Sequence, residues 1–180
     1  MKTVDFVKKY LKGALDSELK TNVPHNFLLA QAALETGWGD KAIGNNIFGI
    51  TAGGGWQGKT QKVWTTEYLD KPIAIFEGVK YNGTPYFSEK YQKTRYKYSV
   101  QRSFRDYENA SDCFNDHFEV LSLSRYKNAF KYTNDPCKFA MEIAAAGYAT
   151  GEDYGKILCD IIKMIDRIII DNNLMAVCSA

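Results

Sequence analysis

Glu35 lies in the stretch Gln31-Ala32-Ala33-Leu34-Glu35-Thr36-Gly37-Trp38-Gly39, where the residue types could support acid catalysis. The residues before it are nearly all apolar, and two glycines and a tryptophan follow it. This pattern indicates a buried helix that ends in a sharp turn. A carboxyl group in apolar surroundings has a raised pKa, which suits a proton donor near neutral pH. The alternative is a helix-terminal glutamate that faces solvent, and the residue types alone do not separate the two.

Glu67 is the candidate for a second carboxylate, which glycoside hydrolysis normally needs as a base or a nucleophile. It lies in the β-prone segment Thr65-Thr66-Glu67-Tyr68. Glu77 and Asp106 are weaker candidates for the same role. A solvated strand residue is the plain alternative for Glu67, and the local pattern by itself favours that alternative.

Other kinds of catalytic site find little support in the sequence. The chain has two histidines, His25 in the first turn of a predicted helix and His117 on an inward helix face, and both are expected to be structural. A Ser/His/Asp or Cys/His site and a His-rich zinc site are therefore not expected. Residues 53–55 are glycines without the Gly-Lys-Ser/Thr of a phosphate-binding loop. We expect no metal ion and no organic cofactor.

Aromatic residues make up 14% of the chain, and five of them could line a substrate groove. Core packing is the default role for any single ring. Tyr148 differs because it lies in a loop between two predicted helices, where binding groups are common. The five candidates are Trp38, Phe48, Tyr126, Tyr132 and Tyr148.

The elements that must position these groups are mainly helices. Apolar spacing and capping residues predict five of them, and between the second and the third the residues become β-prone. A hairpin is expected at Leu69-Asp70-Lys71-Pro72. Residues 81–86 are expected to form a loop, and the basic run 90–97 either extends the hairpin or forms an irregular arm. The predicted class is α+β. The five helices are expected at residues 4–20, 24–35, 109–121, 135–147 and 153–170.

The 180 residues are expected to form one domain over residues 1–172, with a β lobe at about 51–105 and a frayed tail at 173–180. A net charge of +2 is far below a nucleic-acid-binding signature. Charged residues interrupt the apolar segment 157–170, so membrane insertion is not expected.

The four cysteines, at 113, 137, 159 and 178, match no zinc spacing. Free thiols are expected, which is typical of synthesis in a reducing compartment. The N-terminal residues show no apolar signal segment, so we expect the protein to be made in the cytoplasm.

Six segments of the sequence match one protein family in the same order. Each match alone is modest, but the ordered set is specific for that family. The segments are residues 27–39, 45–50, 65–68, 104–107, 111–118 and 146–150 with Tyr154. In this set the sequence resembles the bacterial peptidoglycan-hydrolysing glucosaminidases of glycoside hydrolase family 73.

The resemblance implies a lysozyme-like fold in which a mainly helical lobe and a small β-hairpin lobe flank a substrate groove. It implies that Glu35 is the general acid, that Glu67 is the second catalytic carboxylate, and that Tyr148 is an active-site tyrosine. Trp38, Asn46 and Phe48 match groove or support positions. The implied partner is bacterial peptidoglycan, cut between N-acetylglucosamine and N-acetylmuramic acid.

The stretch between Glu67 and Phe104 is longer than in the short members of the family, which leaves Glu77 as an alternative to Glu67. Muramidase or lytic transglycosylase activity on the same polymer is the alternative reaction, and a non-catalytic glycan-binding module is the alternative class. We expect a monomer that acts on the bacterial cell wall, in the manner of a phage endolysin released by a holin, with an exported bacterial enzyme as the alternative origin.

Overall fold

The computed structural model describes residues 1–53, 55–149, 151 and 153–178, and only the backbone of residues 177 and 178. The chain forms two compact units: a helical unit, Met1–Gly49 with Tyr107–Ala180, and a β unit, Ile50–Asp106. Gly54 and Thr150, which belong to segments named above, and the last two residues of the tail lie outside the described residues.

The helical unit confirms the five predicted helices. Helix α2 is buried on nearly every side and packs against α1, α4 and α5, as its almost entirely apolar sequence predicts. Two short 3-10 helices, Ser124–Tyr126 and Ala129–Tyr132, connect α3 to α4. The helices are α1 (Thr3–Thr21), α2 (His25–Thr36), α3 (Ala110–Leu121), α4 (Pro136–Ala145), α5 (Tyr154–Asp171) and α6 (Leu174–Cys178).

Local features of the chain mark the start of α3 and the end of α2. The Oδ1 atom of Asn109 accepts a hydrogen bond from the backbone N–H of Asp112 at 3.0 Å, which caps α3 as predicted. Helix α2 ends at Gly37, where φ is +59°, and Trp38 adopts the same φ. Two successive left-handed residues turn the chain abruptly after Glu35.

The expectation of a frayed tail is wrong for residues 174–178. They form α6, and Leu174 is buried in the helical unit. The apolar run 174–177 lies four positions beyond the predicted end of the last helix, and is too short to show a helical repeat.

The β unit contains two antiparallel sheets. The first has the strand order β1-β5-β4, and the second is a two-stranded hairpin of β2 and β3. The loop predicted at residues 81–86 is wrong, because these residues lie largely in two of the strands, and the run 90–97, which the sequence left open, begins a third. The strands are β1 (Thr60–Leu69), β2 (Ile73–Phe76), β3 (Val79–Asn82), β4 (Thr84–Ser88) and β5 (Lys93–Arg105).

The predicted hairpin at residues 69–72 is wrong. Strand β1 pairs along its whole length with β5, from Thr60 opposite Arg105 to Leu69 opposite Tyr96. The tight turn lies instead at Glu77 and Gly78, with φ values of +50° and +81°, between β2 and β3. Two central residues with positive φ match the turn that best fits the twist of a hairpin.

The β2–β3 hairpin covers one face of the three-stranded sheet. Ala74, Tyr98 and Val100 are buried together there, and partly buried apolar side chains pack around them. The hydroxyl of Tyr98 donates to the backbone carbonyl of Lys71, which ties the start of the hairpin to β5. Strand β5 supplies Tyr98 and Val100 to this core, so the surface that the hairpin packs on comes largely from β5.

In the part of the chain that the structure describes, no helix is long and apolar enough to cross a membrane. Over the same residues, no cluster of three or more His, Cys, Asp or Glu side chains could hold a metal ion. Cys113, Cys137 and Cys159 are free thiols, of which Cys113 is buried and the other two are half-buried.

Candidate active site

Glu35 lies in the last turn of α2, one residue before the turn that ends the helix. Its side chain is exposed, so the expectation of a buried acid is wrong in that respect. The expected direction of its pKa holds, because partial desolvation by the surrounding protein raises the pKa of the carboxyl above its ordinary value of 4.5. Glu35 can thus hold a proton more tightly than a free glutamate and still be reached from solvent.

One helical turn before Glu35, Gln31 is fully buried and connects three helices. Its Oε1 atom lies 2.9 Å from Nε2 of His117 on α3, and its Nε2 donates to the hydroxyl of Tyr154 on α5 at 3.0 Å. Burial lowers the pKa of His117 to about 4, so the imidazole is neutral at neutral pH. Since the Gln31 Oε1 atom can only accept, the His117 proton belongs on Nε2.

A continuous set of aromatic rings lies beside this network. The ring of Tyr148 stacks on Tyr154, with centroids 5.7 Å apart and planes at 13°, and lies 5.9 Å from Tyr126. His117 contacts the edge of Tyr148 at 6.1 Å and stacks on Phe48 at 3.9 Å. The structure therefore brings together three of the five candidate rings, Phe48, Tyr126 and Tyr148.

The two central tyrosines are neutral hydrogen-bonding groups beside Glu35. Burial raises the pKa of Tyr148 well above its usual range and that of Tyr154 to about 12, and the charge of Glu35 adds to both shifts. A hydrogen bond from Gln31 partly offsets each shift. Glu35 thus lies within electrostatic reach of two phenols that stay protonated across the physiological range.

The other candidate residues have different surroundings. Tyr126 is only 1% exposed, so it supports Tyr148 from inside instead of lining a surface. Trp38 packs edge-on against Phe6 of α1 at 5.6 Å. Tyr132 lies under the ammonium group of Lys138 at 5.6 Å.

Asn46 is buried, and its backbone exchanges hydrogen bonds with that of Ile43. This fixes the short turn that leads to Phe48, whose ring stacks on His117. Asn46 therefore fits the support role that the sequence resemblance implied.

In the β unit, Arg102 bridges the two rival carboxylates. Its Nη1 donates to Oε1 of Glu67 at 3.0 Å, and its Nε lies 3.8 Å from Oε1 of Glu77. Glu77 also accepts hydrogen bonds from the backbone N–H and the hydroxyl of Ser103. These bonds, the backbone one above all, lower the pKa of Glu77.

Sequence reasoning did not find Gln31, Tyr154 and Arg102 as site residues. Gln31 offered a signal, as the only polar side chain inside the apolar stretch of α2 before Glu35. Arg102 offered none, because it is one of many basic residues between 90 and 105 and the pairing of β1 with β5 that brings it to Glu67 is not visible in the sequence.

The sequence was compared with protein families and with known proteins. The model of the family described as "mannosyl-glycoprotein endo-beta-N-acetylglucosaminidase" matches residues 11–167. Peptidoglycan hydrolase FlgJ of Pseudomonas aeruginosa is 30% identical over 89% of this chain, and that of Vibrio parahaemolyticus 31% identical over 91%. The matches span 36% and 46% of those two proteins, less than half of each.

Solved structures show the same fold. The glycoside hydrolase domain of Salmonella typhimurium FlgJ superposes with a TM-score of 0.72 at 23% identity, covering 99% of this chain and 98% of that one. Peptidoglycan hydrolase from Sphingomonas sp. A1 gives a TM-score of 0.60 at 26% identity, covering 93% and 94%. The expected α+β, lysozyme-like fold is confirmed. With the family model matching most of its length, the chain belongs to the glucosaminidase family of glycoside hydrolases.

Proposed function

We propose that this protein is an endo-β-N-acetylglucosaminidase that cuts the glycan strand of bacterial peptidoglycan. The observation that carries the proposal is Glu35, a carboxyl with a raised pKa that is open to solvent beside Tyr148 and Tyr154. A non-catalytic binding module has no use for such an acid. The relatives named as peptidoglycan hydrolases support the choice of polymer.

In this proposal Glu35 protonates the oxygen of the bond between N-acetylglucosamine and N-acetylmuramic acid. The bond from the glucosamine C1 to that oxygen breaks, and water adds to C1, so the muramic residue leaves as an alcohol. The proton that water loses restores Glu35 or passes to the second carboxylate. Tyr148 is neutral and lies near Glu35, and its hydroxyl donates a hydrogen bond to the substrate beside the bond that breaks.

We assign the second carboxylate to Glu67. Both oxygens of Glu77 accept hydrogen bonds from Ser103, and Glu77 occupies a turn position with positive φ. These contacts suit an anchor for the β2–β3 turn. Glu67 is half-buried on β1 and accepts a hydrogen bond from Arg102 through Oε1, which holds the carboxylate in place as a base requires.

The remaining candidates are assigned to substrate binding. Phe48 and Trp38 are half-exposed aromatic rings that can stack on the apolar face of a sugar. Tyr132, which is also half-exposed, is assigned to the same task. Asn46 orients the turn before Phe48.

Replacing Glu35 with Gln tests the proposal directly. The variant keeps the size of the side chain but cannot donate the proton, and positioned acids contribute about 10²–10⁴-fold to rate. We expect clearing of a suspension of purified cell walls to fall by at least about 100-fold. Glu119→Gln, the same change at an exposed position of α3, is the matched control and should clear walls normally. Wild-type clearing by Glu35→Gln would refute the assignment.

The proposal extends to the setting expected from the sequence, a monomer that reaches the wall as a holin-released phage endolysin. Size-exclusion chromatography with light scattering tests the monomer. Lysis of host cells that requires co-expression of a holin tests the route to the wall, and lysis without one argues against it.

A further inference from the structure

The β unit carries the positive charge of the chain. Residues 50–106 contain ten Lys and Arg against five Asp and Glu, a net charge of +5, whereas the whole chain carries +2. The helical unit is therefore at −3. A chain divided in this way attracts an anionic polymer mainly through its β unit.

On one face of the three-stranded sheet, the described side chains of β1 are exposed to solvent. The side chains of β1 alternate between exposed and half-buried along the whole strand. The half-buried set lies on the side of the β2–β3 hairpin, because Thr65 and Leu69 stand opposite Val100 and Tyr96 of that core. The exposed set forms what we call the open face. It consists of Lys62, Trp64, Thr66 and Tyr68 of β1 with Lys97 and Ser99 of β5.

The open face presents large aromatic rings to solvent. Trp64 is 64% exposed and Tyr68 is 46% exposed, unusual for side chains of this size. They lie four residues apart on one strand, about 13 Å at the ordinary rise of a strand. Tyr86 of β4 extends the row, since its ring meets that of Tyr68 edge-on at 5.7 Å.

Polar and charged groups separate and flank these rings. Thr66 lies between Trp64 and Tyr68 on the same face, opposite Ser99. Lys97 lies directly opposite Tyr68 and is exposed. Lys62 completes the row at the other end and also lies within electrostatic reach of Glu77.

We propose that the open face binds the glycan strand of peptidoglycan and holds it without taking part in bond cleavage. The C–H faces of sugar rings stack on Trp64 and Tyr68, the hydroxyls of Thr66 and Ser99 contact sugar hydroxyls, and Lys97 pairs with carboxylates of the stem peptides. The choice of polymer rests on the proposed function. A second contact on the same chain raises the effective concentration of the strand at the catalytic residues.

The test compares the variant Trp64→Ala/Tyr68→Ala with wild type in two assays. In the first, protein that sediments with purified cell walls is measured in the cold, where cleavage is slow. In the second, release of reducing ends is measured from insoluble walls and from soluble, low-molecular-weight glycan fragments. We expect retention on walls to weaken about tenfold or more, slower cleavage of walls, and unchanged cleavage of soluble fragments.

Phe87→Ala is the control for the aromatic variant, and Lys8→Glu is the control for a further test variant, Lys97→Glu. Phe87→Ala removes a ring that is 61% exposed on β4 but points to the opposite face from Tyr86, and should leave retention unchanged. Lys97→Glu should weaken retention at low salt and lose this effect near 1 M salt, where charges are screened within about 3 Å. Lys8→Glu on α1 changes the net charge equally and should have little effect.

Wild-type retention of Trp64→Ala/Tyr68→Ala, or an equal loss in Phe87→Ala, would overturn the inference. An equal loss of binding to polyglutamate would show a general anion surface and overturn it as well. If wild type releases reducing ends from neither substrate but is still retained through Trp64 and Tyr68, the proposed function fails and the binding surface stands.

Discussion

At the scale of single residues, the site depends on the surroundings of the Glu35 carboxyl at the end of α2. Gly37 and Trp38 turn the chain immediately after Glu35, so the side chain is exposed while nearby protein still withdraws part of its hydration. This is enough to raise its pKa. A fully buried glutamate would hold its proton more tightly but could not reach a polymer.

The shift has a sign that can be checked in activity. Glu35 must carry its proton to act as the acid, so cleavage is lost as pH rises through its pKa. Because that pKa is raised above 4.5, we expect the alkaline limb of the kcat profile to lie above this pH. A limb that titrates at or below 4.5, measured on soluble glycan fragments, would contradict the assignment.

The same shift makes a prediction for stability. The folded state binds the Glu35 proton more tightly than the unfolded chain does, so the stability it contributes is present below about pH 4.5 and is lost as pH rises through the folded pKa. Glu35→Gln should therefore have the same or a higher Tm than wild type at pH 7, with no gain below pH 4.5. A clearly lower Tm at pH 7 would mean that the charged form is stabilised in the fold. Calorimetry at the two pH values decides between them.

At the scale of elements, three helices are joined by one buried polar network. Helix α2 supplies Gln31, α3 supplies His117 and α5 supplies Tyr154. With its Oε1 occupied by His117, the Gln31 amide can only donate towards the tyrosines. The hydroxyl hydrogens of Tyr148 and Tyr154 are then directed away from Gln31, so His117 and Gln31 act as positioning residues for the tyrosines.

Replacing His117 separates packing from positioning. His117→Phe keeps a ring against Phe48 but leaves the buried Oε1 of Gln31 without its donor, which costs about 1–3 kcal/mol. We expect lower stability and a lower kcat with little change in KM. His117→Gln restores an N–H donor and should recover kcat more than it recovers Tm. If kcat follows Tm alone in both variants, the network is only structural.

In the β unit, the two carboxylates on Arg102 should respond differently to the same change. Glu67→Gln removes the proposed base and should lower kcat strongly at little cost in Tm. Glu77→Gln loosens the contact of the turn with Ser103 and should lower Tm more than kcat. The reverse order in both measurements would assign the second carboxylate to Glu77.

The five long helices could be predicted from the sequence, because their signals are local. Asn109 caps α3 through a residue three positions away, and Gly37 ends α2 through its own φ. The partner of β1 could not be predicted, since Glu67 stands opposite Tyr98 in a strand thirty-one residues further on. Arg102 reaches Glu67 only through that non-local pairing.

At the scale of the whole molecule, membership of the family identifies the class of reaction, glycoside hydrolysis. Which bond of the glycan strand is cut is the claim of the proposed function. Glucosaminidase, muramidase and lytic transglycosylase activities all attack the same strand with a carboxylic acid. They differ in the sugar whose C1 is attacked and in the fate of that carbon.

Product ends test the central claim most directly. Purified peptidoglycan digested with this protein is reduced with borohydride, and the fragments are identified by mass spectrometry. We predict new reducing ends at N-acetylglucosamine that are absent from a Glu35→Gln digest. Reduced N-acetylmuramic ends would show a muramidase, and anhydromuramic ends a lytic transglycosylase, and either would contradict the proposed reaction.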